Sequence, residues 1–328
     1  MTTFGDGVYQ YGGIPVGGGM LPITGFGGKA FFVHGSSGLD GNNGLSPKAP
    51  LKTLTQAYAL CTDGAGDTVY ILNDGSSTAS VRDVALTWAK DNCHIVGLGA
   101  PAINQRARIA PPIASTVDVA AYTPYLTLSA SGCIISNVSW FQGQSANAAS
   151  VGMKVTGSRN YISNVSIITG ASALTAAQAA TYQLQVTGSE NVFEKCYIGQ
   201  DTINRTGANA NVRFGAGAAE LASRNVFREC IFPLYASGAT TLFITATTAD
   251  DAARWNLFDR CTFLNTSATA MTGGIVWAAG SGLLFLKDCA MYGATDWTAA
   301  NSSVVLYQGP TPGAPVDAGQ FLGIDVAA

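Results

Sequence analysis

The chain has 328 residues, of which 47% are hydrophobic and only 11% charged, with 39 glycines and a formal net charge of −3. Average soluble proteins carry roughly 25% charged residues, so this balance favours short strands and frequent turns over long solvated helices. The 17 Lys and Arg form no cluster, which argues against nucleic-acid backbones and anionic membrane surfaces as partners.

No segment approaches the roughly 18 consecutive apolar residues of a membrane span. Met1-Thr2-Thr3-Phe4-Gly5-Asp6-Gly7 has neither the basic start nor the apolar run of a secretory signal. Synthesis in the cytoplasm is therefore expected.

Residues 1–28 form an apolar, glycine-rich arm in which Phe4, Val8, Tyr9, Tyr11, Ile14, Val16, Met20, Leu21, Ile23 and Phe26 follow neither a helical nor a strict strand period. Such a segment cannot build its own core. It is expected to become ordered against a partner, and these ten residues are the candidate partner-binding set.

From Phe31 the pattern changes. Phe31-Phe32-Val33 predicts a strand, and Gly35 to Pro47 is a turn cluster rich in Gly and Asn. Thr53 with Gln56 fits a capping box for a short helix that puts Leu54, Ala57, Tyr58 and Cys61 on one face. Thr68-Val69-Tyr70-Ile71 predicts a second strand. The helix is expected to cap the open end of the body that follows. Asp40, Asn42 and Asn43 could supply oxygens to calcium, but turn formation accounts for them better, and no metal or cofactor is expected.

This order of elements resembles the amino-terminal module of pectate-lyase-like β-helix proteins, over about forty residues. That superfamily includes polysaccharide lyases, glycoside hydrolases, phage tailspikes and capsid-surface proteins. The resemblance implies a right-handed parallel β-helix and leaves the activity open.

A repeat carries the rest of the chain. A large apolar residue, two residues, Cys or Val, one residue and a second large apolar residue recur six times. The copies are Ile135/Val138/Trp140, Ile162/Val165/Ile167, Phe193/Cys196/Ile198, Phe227/Cys230/Phe232, Phe258/Cys261/Phe263 and Leu286/Cys289/Met291. Their central positions lie 27, 31, 34, 31 and 28 residues apart.

Within each copy the step changes from three to two, which predicts two short strands meeting at a polar bend. A third strand precedes each copy: Leu126/Leu128, Met153/Val155, Leu184/Val186, Val212/Phe214, Leu242/Ile244 and Ile275/Trp277, with Val304/Leu306 closing the series. Three strands per coil define an all-β, single-stranded right-handed parallel β-helix over 29–307, with its capping module at 29–72 and a tail at 308–328. The seven cysteines show no paired Cys-x-x-Cys or His spacing and suit a buried column.

Glu194, Glu229, Asp259 and Asp288 alternate with Lys195, Arg228, Arg260 and Lys287, which predicts a ladder of mixed charges on a solvated edge. The best carboxylate pair is Asp250-Asp251, followed by Arg254, and it matches no glycosidase motif. Both histidines, His34 and His94, precede the repeats. Tyr197, Tyr292 and Trp297 are candidate sugar-stacking aromatics. The inserts at 141–150, 168–180 and 199–210 lack a core pattern and are expected to be exposed or intersubunit surfaces.

Without a convincing carboxylate pair the expectation is a non-enzymatic structural virion protein. It would be a capsid decoration or head protrusion on the virion surface, with the arm bound to the major capsid protein or another virion protein. The resemblance implies a homotrimer. The alternative is a tailspike-type β-helix that binds or depolymerises host surface polysaccharide.

Overall fold

The computed structural model describes residues 28–73, 80–99, 107–112, 120–145, 148–215, 222–237 and 240–299, with the backbone of Gln10–Tyr11, Ile14–Pro15 and Val305–Gln308. The side chains of the arm, and most of the arm and tail, lie outside them. Gln10–Tyr11 and Ile14–Pro15 pair as a two-stranded antiparallel hairpin.

From Ala30 onward the chain winds as a parallel β-helix. Three strands recur in each coil, and each pairs in parallel with its counterparts in the coils on either side. Among the described residues, sheet I stacks ten strands from Ala30–Val33 to Val305–Gln308. Sheet II runs from Ser80–Arg82 to Ala290–Tyr292, and sheet III holds seven strands from Leu86–Trp88 to Ile275–Trp277.

The sixfold motif marks the junction of sheets I and II. Its central feature is a single residue in the left-handed conformation: Asn137, Asn164, Lys195, Glu229, Arg260 and Asp288 all have φ between 50° and 55°. One such residue turns the chain and resets which side chains point inward, which is why the step changes from three to two. The bend amides of the first five copies find partners in the next coil, as when Lys195 N donates to Arg228 O at 2.9 Å and Glu229 N to Asp259 O at 2.9 Å. The ladder therefore continues through the corner.

The solenoid extends further toward the amino terminus than the motif. Thr68–Leu72, Ser80–Arg82 and Leu86–Trp88 form a coil of the same kind, and so do His94–Leu98, Arg108–Ala110 and Leu126–Leu128. In both, several residues replace the one-residue bend, so the spacing that reveals the motif is lost. Two strand assignments also change. In the fifth copy Ile244, not Leu242, is in register with Val212, and the closing strand Val305–Gln308 joins sheet I beside Leu284–Lys287.

Inside the coils, like side chains stack on like. Phe227 lies between Phe193 and Phe258 with ring centroids 4.5 and 4.4 Å away and nearly parallel planes. All seven cysteines are buried and free. Cys196, Cys230, Cys261 and Cys289 form the expected column, each donating its thiol to a carbonyl of the preceding coil at 3.4 to 3.5 Å.

A second inner column, absent from the sequence expectations, lies at the turn from sheet III to sheet I. Asn160, Asn191, Asn225 and Asn256 are all buried and bonded in series. Each Oδ1 accepts from the backbone amide of the coil before it, at 2.8 Å for Asn160 to Cys133 and 3.0 Å for Asn191 to Asn160. Each Nδ2 donates to a carbonyl such as Gly157 O or Gly188 O. The signal was present as an Asn two residues before Ile162, Phe193, Phe227 and Phe258.

The first helix, α1 (Leu54–Leu60), has the expected cap, with Thr53 Oγ1 accepting from Gln56 N at 3.2 Å. It buries Leu54 and Ala57, rests Tyr58 on Trp88, and packs against Ala30–Val33 and Thr68–Leu72. Among the described residues no helix is long and apolar enough to cross a membrane.

Candidate functional site: the outer face of sheet III

The three outward faces differ in kind. On sheet I the predicted charge ladder is present, with Arg228 3.7 Å from Asp259, Lys287 3.6 Å from Asp259, and Arg260 3.0 Å from Glu229. A shorter one beside it joins Arg159, Glu190 and Arg224. The two guanidiniums hold the Glu190 carboxyl below the usual carboxylate range.

A folded-state pKa below the unfolded value means that Glu190 contributes stability at neutral pH and loses it as pH falls through that lowered pKa. The stability difference between the wild type and Glu190→Gln is expected to shrink on acidification. Denaturant melts at neutral pH and well below the ordinary carboxylate range check this.

On sheet III the outward column is polar over most of its length; Thr245 at its end is buried, Val276 follows it, and Phe243 is buried on the same face. Thr87, Thr127, Lys154, Gln185, Arg213 and Thr245 occupy one in-register column, one residue per coil. Lys154 and Arg213 sit two strands apart, about 10 Å at the spacing of neighbouring strands. The column carries two cations and no acid of its own. Arg213 lies over the Tyr182 ring, 5.7 Å from its centroid, and contacts Asp251 at 3.3 Å.

A lobe built from the loops that join sheet II to sheet III flanks this column. The inserts predicted as surface loops stack into it with a polar interior instead of an apolar one. Gln142, Ser150, Thr169, Thr175, Thr181, Arg205 and Asn209 are buried there. The bonds include Ser150 to Thr169 at 2.6 Å and Thr175 Oγ1 to Gln144 O at 3.2 Å. A short helix, α2 (Ala173–Ala176), and the strand Gln200–Arg205 lie within it. The inserts do expose residues such as Leu174, Asp201 and Thr206, but hydrogen bonds also close a buried polar core among them, which no hydrophobic period marks. Arg205 is fully buried and bonds to Asn211 and to the carbonyls of Thr181 and Ala210. Burial pushes its guanidinium toward the neutral form.

The candidate residues of the sequence reading do not converge. Asp251 is fully buried and accepts from the amides of Thr247 and Thr248 at 2.6 and 2.9 Å, holding the turn that borders the sheet III column. Asp250 and Arg254 are exposed. His34 Nδ1 accepts from Ser37, and the buried His94, its pKa lowered by burial, accepts from Ile134 N. Trp297 is buried against Phe263 rather than exposed. Asp40 binds the amides of Lys52 and Thr53, Asn42 binds Pro50 O, and Asn43 caps Leu45, as turn residues do. The column Lys154–Gln185–Arg213 was missed because its members alternate with core residues in three different copies and share no residue type.

The architecture is that of a right-handed parallel β-helix, shared with solved structures of polysaccharide-acting enzymes. Solved structures similar to this chain include a pectin methylesterase mutant in complex with a hexasaccharide, at TM-score 0.54 and 16% identity over 90% of this chain and 91% of that one. A rhamnogalacturonan lyase matches at TM-score 0.55 and 12% identity, over 87% and 74% of the two chains. A pectate lyase matches at TM-score 0.45 and 14% identity, over 87% and 59%. No protein-family model matches the chain, and no curated protein is similar to it in sequence.

At these identities the likeness establishes the fold. It also corrects the expectation of a non-enzymatic chain, because these β-helix neighbours are enzymes. That expectation rested on finding neither a convincing carboxylate pair nor acids placed with a basic residue for lyase chemistry, and on the apolar arm.

Proposed function

We propose that the protein is a polysaccharide-acting β-helix of tailspike type, seating an acidic glycan along the outer face of sheet III. The observation that carries this reading is the column Thr127–Lys154–Gln185–Arg213, one polar side chain per coil beside a hydrogen-bonded lobe. A linear polymer with repeating carboxylates meets polar side chains at the spacing of successive coils there, with Lys154 and the Asp251-paired Arg213 supplying cationic donors. In this reading the arm, residues 1–28, anchors the β-helix to a larger particle.

The test is binding of a uronate-containing polysaccharide by affinity electrophoresis, with product release followed by chromatography. The wild type is expected to bind and shorten or de-esterify the polymer. Lys154→Ala/Gln185→Ala is expected to bind at least tenfold more weakly with an unchanged melting temperature. Equal binding by the double variant, or none by the wild type to any uronate polymer, contradicts the reading.

A further inference from the structure

Sheet I presents a second outward surface that the polysaccharide reading does not use. Three large apolar side chains are well exposed on it, Tyr161 at 39%, Trp255 at 36% and Leu283 at 38%. Around them the side chains fall into four columns. Arg159, Glu190 and Arg224 continue through Trp255 and Leu283 along the first. Tyr161, Val192, Val226, Leu257 and Phe285 make the second. Glu194, Arg228, Asp259 and Lys287 make the third, and the bend residues Lys195, Glu229, Arg260 and Asp288 the fourth.

In the third and fourth columns charge alternates strictly from coil to coil. An alternating row of even length, read backwards, is its own complement. We infer that the chain associates with a second copy of itself through this face. The two β-helices run antiparallel about a twofold axis that lies between Val226–Arg228 and Trp255–Asp259.

That single axis pairs the second, third and fourth columns, while in the first it sets Glu190 beside Leu283. Glu194 meets Lys287 of the second copy and Arg228 meets its Asp259, while Lys195 meets Asp288 and Glu229 meets Arg260. In the apolar column Val192 meets Phe285 and Val226 meets Leu257. In the first column Arg224 comes over the exposed Trp255 of the second copy, a cation on an aromatic face. Each contact occurs twice, as an isologous interface requires.

The cations are exposed, whereas Asp259 is buried and Glu194 is 23% exposed, so the fourth column, with Glu229 and Asp288 open, carries most of the charge pairing. Lys195, Arg228, Arg260 and Lys287 are 65, 42, 48 and 51% exposed despite their bonds within the chain. An axis parallel to the solenoid between the third and fourth columns would also pair opposite charges, Glu194 with Lys195 and Arg228 with Glu229, but it would leave the apolar second column without an apolar partner. The overlap of the four coils from Val192–Glu194 to Leu283–Lys287 covers on the order of 400 Å² per copy at ordinary strand spacings, below the usual size of a specific interface. A reversible pair is expected.

The decisive variant is Glu194→Cys/Lys287→Cys. The two positions are three coils apart within one chain, about 14 Å, too far for a disulfide between them. Mild oxidation is expected to give covalent dimers of the double variant, none of either single variant, and heterodimers when the two singles are mixed. Sedimentation velocity of the unaltered chain should show a concentration-dependent pair that Leu257→Arg abolishes. A double variant that stays monomeric, a Glu194→Cys single that cross-links to itself, or a wild type monomeric at every concentration overturns the inference. None of these outcomes depends on whether sheet III binds polysaccharide.

Discussion

Replacing Asn225 by alanine is expected to destabilise the protein by about 2–6 kcal/mol, because it leaves at least two buried backbone groups without partners at about 1–3 kcal/mol each. Asn225 Oδ1 accepts from Asn191 N at 3.0 Å, and its Nδ2 donates to Gly188 O at 3.1 Å and to Asn256 Oδ1 at 3.0 Å. Asn191 and Asn256 themselves bind the coils on either side, so the loss sits in the middle of a chain of bonds. Denaturant unfolding of Asn225→Ala checks the size of the effect. Asn225→Asp distinguishes the ladder from simple packing, since it keeps the volume and the acceptor but removes both donors. Asn225→Asp should therefore be at least as damaging at neutral pH, and partly relieved in acid where the buried carboxyl is protonated.

Phe227→Ala is expected to destabilise by about 3–5 kcal/mol, the range for an aromatic removed from a filled core. Phe227 is fully buried, stacked between Phe193 and Phe258, and also touches Phe214 and Phe232. Coils above and below are held in register by strands that a single truncation does not release, so the cavity cannot collapse. Phe227→Leu should recover a large part of the loss. A calorimetric melt of the two variants beside the wild type measures it, and a loss under 1 kcal/mol for alanine would show that the stack contributes little.

Phe227 belongs to the part of the molecule that the sequence describes best, whereas the Asn225 column beside it was not among the sequence expectations. Ile162, Phe193, Phe227 and Phe258 could be identified as one column because a one-residue bend fixes the distance from each to its Cys or Val. Where that bend is replaced by a longer connection, as after Leu72 and Leu98, the coil exists but its spacing is hidden. The charges of the sheet I edge were legible for the same reason as the core, since they sit at constant offsets from it.

The candidate site was not legible. Lys154, Gln185 and Arg213 share a column only because Met153, Leu184 and Val212 are in register. The lobe beside them is held by hydrogen bonds among Ser, Thr, Gln and Asn, whose pattern has no period. The acids behave similarly. Asp40, Asp67, Asp83 and Asp251 spend their oxygens on backbone amides, so a search for paired carboxylates finds residues already committed to turns.

The central claim, that sheet III is the seat of a polysaccharide, is tested most directly by a crystal structure with an acidic oligosaccharide bound. Density is expected to run across successive coils over Thr127, Lys154, Gln185 and Arg213, with sugar carboxylates at Lys154 and Arg213. An oligosaccharide ordered instead on sheet I or sheet II, with the sheet III column bare, would contradict it.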